Sequence, residues 1–251
     1  MVHFVGAGPG DPELITKKGA RLLSESDVVI YAGSLVNPKL LELCKKEAKI
    51  YNSATMTLDE VLNVMYDAEE KNLTTVRLHT GDPAIYGAIA EQMDALNEKQ
   101  IVYDVIPGVS SFLGAAASLK KEYTLPGISQ TVIITRQGGR TPVPESESLK
   151  KLAAHNSTMC IFLSVHKIDE VVNELIEGGY KKETPVAVVE KATWEDEQIL
   201  WGNLENIAEK VHNAKIAKTA MIVVSPCLDA TYEPSRLYAP DFSHMFREAK
   251  V

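Results

Sequence analysis

Val76-Arg77-Leu78-His79-Thr80-Gly81-Asp82-Pro83-Ala84-Ile85-Tyr86-Gly87 opens as a strand, breaks at a turn and resumes among small residues. Gly81 frees the backbone at the break and Pro83 fixes it, so the stretch reads as strand, loop and helix. In open parallel sheets, ligands bind beyond the carboxyl ends of strands, where loops offer backbone N–H groups with few side chains in the way. Thr80 or Asp82 would equally serve as a cap for the helix, and Gly81 as a shaper of the turn. The stretch points to α/β and leaves the use of its loop open.

The same grammar extends upstream. Residues 2–5 form a short apolar strand that runs into Gly6-Ala7-Gly8-Pro9-Gly10-Asp11-Pro12. Asp11 suits an N-cap and Pro12 a first helical position, with Leu14, Ile15, Ala20, Leu22 and Leu23 as an apolar stripe up to Ser24. Residues 28–31 and 49–51 read as strands around a helix that starts at Asn37-Pro38 and carries Leu40, Leu41 and Leu43. Thr57 and Glu60 make a capping box for a helix bearing Val61, Leu62, Val64, Met65 and Ala68. Downstream of the central loop a helix runs to about Lys99. A strand over 101–106 then ends at Pro107-Gly108-Val109-Ser110-Ser111, a third small-residue loop after a strand.

Residues 120–127 look like a crossing into a second domain. The expected organisation is an N-terminal α/β domain over 1–119, a C-terminal α/β domain over 120–234 and a tail over 235–251, with a ligand cleft between the domains. Strands are expected at 131–136, 159–163, 186–190 and 220–224, and helices at about 146–154, at 168–177 and after a cap at Asn203. The turn through Ala192-Thr193-Trp194-Glu195-Asp196 is short enough for an antiparallel return over 198–201, which makes the second sheet mixed.

Composition removes several classes. The chain has 251 residues, 45% hydrophobic and 24% charged, with a formal net charge of -8, an ordinary soluble composition that argues against a nucleic-acid partner. Cys44, Cys160 and Cys227 stand far apart and are expected to be reduced. The early glycine loop leaves no room for a secretory signal, and no apolar run is long enough for a membrane span, so the expected location is the cytoplasm. Asp11 at the place of a third glycine, with Pro9 inside the loop, argues against a dinucleotide fingerprint, and no Gly-Lys-Ser or Gly-Lys-Thr supports a P-loop. Neither Gly-x-Ser-x-Gly nor a His-x-x-x-His pair occurs, so hydrolysis and a protein-bound metal are not expected.

Taken together, residues 5–12, Arg77 to Gly87, Pro107-Gly108-Val109-Ser110-Ser111 and Pro185 to Glu190 resemble, in order, the motifs of the tetrapyrrole methyltransferase family. Within it, Arg77-Leu78-His79-Thr80-Gly81-Asp82-Pro83 with Ile85-Tyr86-Gly87 is similar to the branch that methylates C11 of precorrin-4, with or without cobalt, in cobalamin biosynthesis. Uroporphyrinogen methyltransferases usually carry Gly-Gly-Asp where Thr80-Gly81-Asp82 stands. Other ring positions, C17 or C20, and a binding module for tetrapyrrole or nucleotide without turnover are the alternatives.

The resemblance implies a homodimer whose subunits bind S-adenosylmethionine and release S-adenosylhomocysteine, with no protein-bound metal. It assigns Pro9, Thr80, Gly81, Asp82, Ile85, Ser110 and Ser111 in the first domain to the cofactor. Leu163, Ala192, Thr219, Ala220 and Met221 follow in the second; the family often has Met at position 163 and Gly at 192. Asp82 is the candidate for an electrostatic or cofactor-fixing role, and no general base is assigned. The substrate's many carboxylates call for local cations. Arg136 and Arg140, bracketing Gln137-Gly138-Gly139, are the first candidates, because guanidinium grips a carboxylate through two N–H groups. Lys120 and Lys121 come next, His79 either donates to a carboxylate or finishes its strand, and Tyr86 is expected to pack against a ligand.

Overall fold

The computed structural model describes residues 1–249 apart from Ser34, Arg140, Glu233, Arg236 and Tyr238. Two compact units emerge, Met1–Ser118 together with Lys191–Glu197, and Leu119–Glu190 together with Gln198–Val251. The hairpin turn at 191–197, expected within the second domain, therefore clusters with the first unit.

The first unit holds β1 (Val2–Gly6), β2 (Val28–Tyr31), β3 (Lys49–Asn52), β4 (Thr75–His79) and β5 (Tyr103–Ile106) in the order β3-β2-β4-β1-β5. All pairings are parallel. Its helices are α1 (Lys17–Glu25), α2 (Leu58–Glu70), α3 (Ala90–Glu98) and α4 (Ser111–Leu119). The central strands are buried on both faces; β2 is a continuous apolar run, whereas β1 and β4 also bury His3, Thr75, Arg77 and His79. Val5, Val29, Val76 and Leu78 pack with Leu22 and Leu23 of α1 on one face. Phe4, Val28 and Ile30 pack with Val61, Leu62 and Met65 of α2 and Leu96 of α3 on the other. Burial of each such side chain contributes roughly 1.5–3 kcal/mol. The parallel register sets the carboxyl ends of β1 and β4 level, Gly6 opposite His79.

Local chemistry moved several helix starts. The Thr57 capping box forms as read, with Thr57 Oγ1 accepting from Glu60 N–H at 3.3 Å and Glu60 Oε2 from Thr57 N–H at 2.7 Å. Asp11, however, caps only the single 3-10 turn Pro12–Leu14, and Thr16 starts α1 by accepting from Gly19 N–H at 3.0 Å. Residues Pro38–Leu43 form a 3-10 helix. The helix expected directly after Pro83 starts at Ala90. Asp82 Oδ1 takes the N–H of Ala84 at 2.8 Å, and Tyr86 and Ala88 have φ of 55° and 48°. Left-handed residues cannot propagate a right-handed helix.

The second unit holds β6 (Val132–Arg136), α5 (Leu149–Ala153), β7 (Thr158–Phe162), α6 (Ile168–Glu177), β8 (Pro185–Glu190), β9 (Gln198–Asn203), α7 (Ile207–Ala214) and β10 (Ala220–Val224). The sheet runs β6-β7-β10-β8-β9 and is mixed as expected: β6 and β7 are parallel, and the remaining pairs are antiparallel. Met159, Ile161, Val186, Val188, Ile222 and Val224 form its core with the three helices. Asn206, rather than Asn203, is the N-cap of α7. Asn203 Oδ1 instead shapes the preceding turn, accepting from Glu205 and Asn206 N–H at 3.1 and 3.2 Å.

Candidate functional site

Three loops cross at the carboxyl ends of β1, β4 and β5. Gly8 and Gly81 exchange backbone hydrogen bonds, Gly81 N–H to Gly8 O at 2.8 Å and Gly8 N–H to Gly81 O at 3.3 Å. A Cβ placed on Gly6 would stand 2.6 Å from Gly108 Cα and 2.7 Å from Gly81 O, so only glycine permits the crossing. Asp82 ties it together: Oδ1 accepts from Ala84 N–H and Oδ2 accepts from Gly108 N–H at 2.9 Å. Ser111 Oγ lies over Gly81, 3.5 Å from where a Cβ would be. Buried Ser110 starts the α4 turn by accepting from Leu113 and Gly114 N–H. Pro9 abuts Gly114, whose added Cβ would come within 2.6 Å of Pro9 Cβ. The first unit thus brings together Pro9, Gly81, Asp82, Ser110 and Ser111, and the chain carries Thr80 and Ile85 beside them.

Beneath the crossing lie two basic side chains. Arg77 is buried, donating through Nε to Gln92 Oε1 at 3.3 Å and through a terminal nitrogen to Ile30 O at 3.2 Å. Burial lowers its pKa to about 10. His79, only 4% exposed, lies beside Phe4, and its Nε2 has no hydrogen-bond partner among the described residues. Desolvation, followed by the charge of Arg77, pushes it down to about 3, so it is a neutral imidazole at ordinary pH. Of the two readings, a donor to a carboxylate or the end of its strand, the burial of the ring suits the second. Tyr86, by contrast, is exposed.

In the second unit, Leu163 follows β7 and is 59% exposed, while Thr219 precedes β10. Because β10 runs antiparallel to β7 and β8, with Ala220 opposite Glu190, the start of β10, the end of β7 and the end of β8 share one edge of the sheet. Ser164 fixes the turn after Leu163, donating to Phe162 O at 2.6 Å and accepting from Gln137 N–H at 2.8 Å. Arg136 departs from expectation. Its guanidinium donates to the carbonyls of Gln137, Thr141 and Pro142 at 3.3, 2.9 and 2.9 Å, so three of its five N–H groups hold its own loop. Arg140 lies outside the described residues. Lys120 is the exposed left-handed residue after α4.

Backbone strain marks the same places. Among the described residues, eleven non-glycine residues have positive φ. Asn72, Gln100, Lys120, Asn156 and Lys215 follow helices, where a left-handed residue commonly ends the helix. The other six are Tyr86, Ala88, Leu163, Lys191, Thr193 and Thr219. All six lie in or beside stretches singled out by sequence, Lys191 and Thr193 flanking Ala192. Such conformations cost on the order of 1–3 kcal/mol each and collect at ligand sites. Thr193 and Trp194, which sequence reading took only as a turn, make side-chain bonds to the loop containing Pro9.

The chain is 59% identical over 249 residues to a cobalt-precorrin-4 C(11)-methyltransferase of Methanocaldococcus jannaschii, covering 99% of this chain and 96% of that protein. Its fold superposes with a TM-score of 0.89 on the X-ray structure of a cobalamin biosynthetic cobalt precorrin-4 methyltransferase, at 44% identity over 91% of this chain and 96% of that one. A uroporphyrin-III C-methyltransferase from Thermus thermophilus complexed with S-adenosyl homocysteine gives a TM-score of 0.76 at 27% identity, covering 90% and 92% of the two chains. The family model for tetrapyrrole (corrin/porphyrin) methylases matches residues 1–208, and the chain belongs to that family.

Proposed function

We propose that this protein is an S-adenosylmethionine-dependent methyltransferase acting on C11 of cobalt-precorrin-4 or precorrin-4 in cobalamin biosynthesis. The observation that carries this reading is the full-length similarity to a cobalt-precorrin-4 C(11)-methyltransferase. The residues present suit the methyl donor. The close backbone crossing of Gly6, Gly81 and Gly108 gathers the assigned loops of the first unit, and strained residues lie in or beside the other assigned stretches.

The donor supplies a methyl group already activated on a sulfonium, so the protein's task is alignment more than acid–base chemistry. Pro9, Thr80, Gly81, Ile85, Ser110 and Ser111 are assigned to hold it from the first unit, and Leu163, Ala192 and Thr219 to Met221 complete the set. Asp82 acts by fixing the loops through its two backbone bonds, and Tyr86 offers an exposed ring to a ligand. For the carboxylate-rich tetrapyrrole, Lys120 and Arg140 remain the proposed cations. Arg136 keeps the 137–142 loop in shape, and His79 supports the strand below Thr80 as a neutral ring. No helix among the described residues is long and apolar enough to cross a membrane. We place the enzyme in the cytoplasm as a homodimer, in keeping with the family resemblance.

The test is mass spectrometry of the tetrapyrrole after incubation with methyl-labelled S-adenosylmethionine and precorrin-4, with and without cobalt, followed by carbon NMR. One labelled methyl at C11 is the expected result, and the preferred metal state identifies the substrate. A methyl at C17 or C20, or tetrapyrrole binding without donor consumption, would replace this reading.

A further inference from the structure

The loop at Pro9 to Asp11 is irregular, yet three consecutive backbone groups in it are held by side chains from elsewhere. Trp194 donates its indole Nε1–H to Pro9 O at 3.2 Å. Asn37 donates to Gly10 O at 2.9 Å. Asp11 N–H donates to Thr193 Oγ1 at 3.0 Å. Trp194 and Thr193 bracket Gly10, and the indole lies where a side chain at Gly10 would be; an added Cβ would overlap the ring and stand 2.8 Å from Ala192 O. The turn carrying these residues is itself anchored. Thr193 N–H donates to Glu197 at 2.6 Å, the Ser118 hydroxyl bonds the same carboxylate, and Lys39 pairs with Glu195. Thr193 keeps this position at φ 69°, a costly conformation for a β-branched residue.

We infer that Thr193 and Trp194 are positioning residues that clamp Pro9 to Ala192 and so set the affinity for the methyl donor. This rests on the assignment of Pro9 and Ala192 to that donor under the proposed function. A loop held in its binding conformation before the ligand arrives does not lose that freedom on binding. Each clamp bond also satisfies a backbone group that would otherwise be left unpaired. Once the donor is bound the clamp has no further part in the reaction, so its loss acts on binding and leaves turnover at saturation unchanged.

Three variants and one spectroscopic measurement test the inference. Trp194→Phe keeps the ring against Gly10 and removes the N–H; Thr193→Val removes the hydroxyl and keeps the shape; Thr193→Ser restores the hydroxyl. By calorimetry, Trp194→Phe and Thr193→Val should each bind S-adenosylhomocysteine about tenfold more weakly, as expected for one lost bond to a partly buried group. Thr193→Ser should stay within about twofold of the parent protein. KM for the donor should rise in step, with kcat unchanged. In a Trp201→Phe protein, Trp194 is the sole tryptophan, and its emission should change on binding S-adenosylhomocysteine. Unaltered emission, or Trp194→Phe and Thr193→Val proteins that bind as tightly as the parent, overturns the clamp while leaving the donor assignment standing. Failure of the parent protein to bind S-adenosylhomocysteine overturns both.

Discussion

Asp82 shows how a side chain that looks catalytic in sequence can act through the backbone. Both carboxylate oxygens hold N–H groups, one within its own turn and one on the loop after β5. A positioning role and a direct charge interaction with a sulfonium make different predictions. If Asp82 holds loops, Asp82→Ala should weaken S-adenosylmethionine and the uncharged product S-adenosylhomocysteine equally, and lower stability by about 1–3 kcal/mol through unpaired N–H groups. If its charge faces the donor, only the cationic ligand should lose affinity. Parallel titrations with the two ligands, alongside urea unfolding, decide between them. His79 makes a second prediction. Its pKa is about 3 in the folded chain against an ordinary value of 6.5, so between those values the unfolded chain takes up a proton that the folded one refuses. This contribution is present in full above pH 6.5 and is lost as pH falls toward 3, at up to ~1.4 kcal/mol per pH unit. Urea unfolding at pH 7 and pH 5 should therefore differ less for His79→Gln than for the parent. An equal pH dependence in both would show that the imidazole titrates normally in the fold.

At the scale of the element, the strands were readable and several helix starts were not. A buried parallel strand such as β2 is apolar on both faces, Val28 and Ile30 on one and Val29 on the other, which leaves an unmistakable run. The start of α3 depended instead on Asp82 capturing Ala84 N–H and on left-handed Tyr86 and Ala88, choices that neither periodicity nor propensity reveals. The glycine and serine residues of the loop crossing were legible as loops because small residues directly after strands mark tight turns. The three loop-carbonyl bonds of Arg136 were not legible because they depend on where the chain carries Gln137, Thr141 and Pro142. The hairpin stretch Lys191–Glu197 was misplaced for a related reason, since its partners Pro9, Asp11 and Lys39 lie more than 150 positions away in sequence. The end of β7 offers an element-scale test. Leu163 is exposed and left-handed, so glycine there relieves strain while adding freedom to the unfolded chain. Leu163→Gly should leave the ligand-free protein as stable as the parent or up to about 1 kcal/mol more so, and should weaken S-adenosylhomocysteine. Loss of stability with unchanged affinity would assign Leu163 to packing and remove it from the site.

For the whole molecule, the six strained residues outside helix ends form a map that can be read in a single experiment. Strain of this kind persists only where surrounding structure over-determines it, and a ligand that contacts such backbone restricts it further. Binding of S-adenosylhomocysteine should therefore slow amide hydrogen exchange around residues 80–88, 108–111, 163–164, 191–194 and 219–221, because local openings there become rarer in the complex. A control region is available in the second unit. An open surface cavity of about 530 Å³, lined by Lys121, Glu183, Pro185, Trp201 and Asp229, lies at the end of β8 and β9 opposite their hairpin turn. The strain map gives it no part in donor binding, and exchange around 183–185 and 201–203 should stay as it was. Protection confined to residues 80–111 would leave the donor with the first unit's contacts and remove Leu163 and Thr219 to Met221 from the assignment. Protection around the cavity would move the site to the wrong end of the second sheet for the residues named here, and the donor contacts would have to be reassigned from that end.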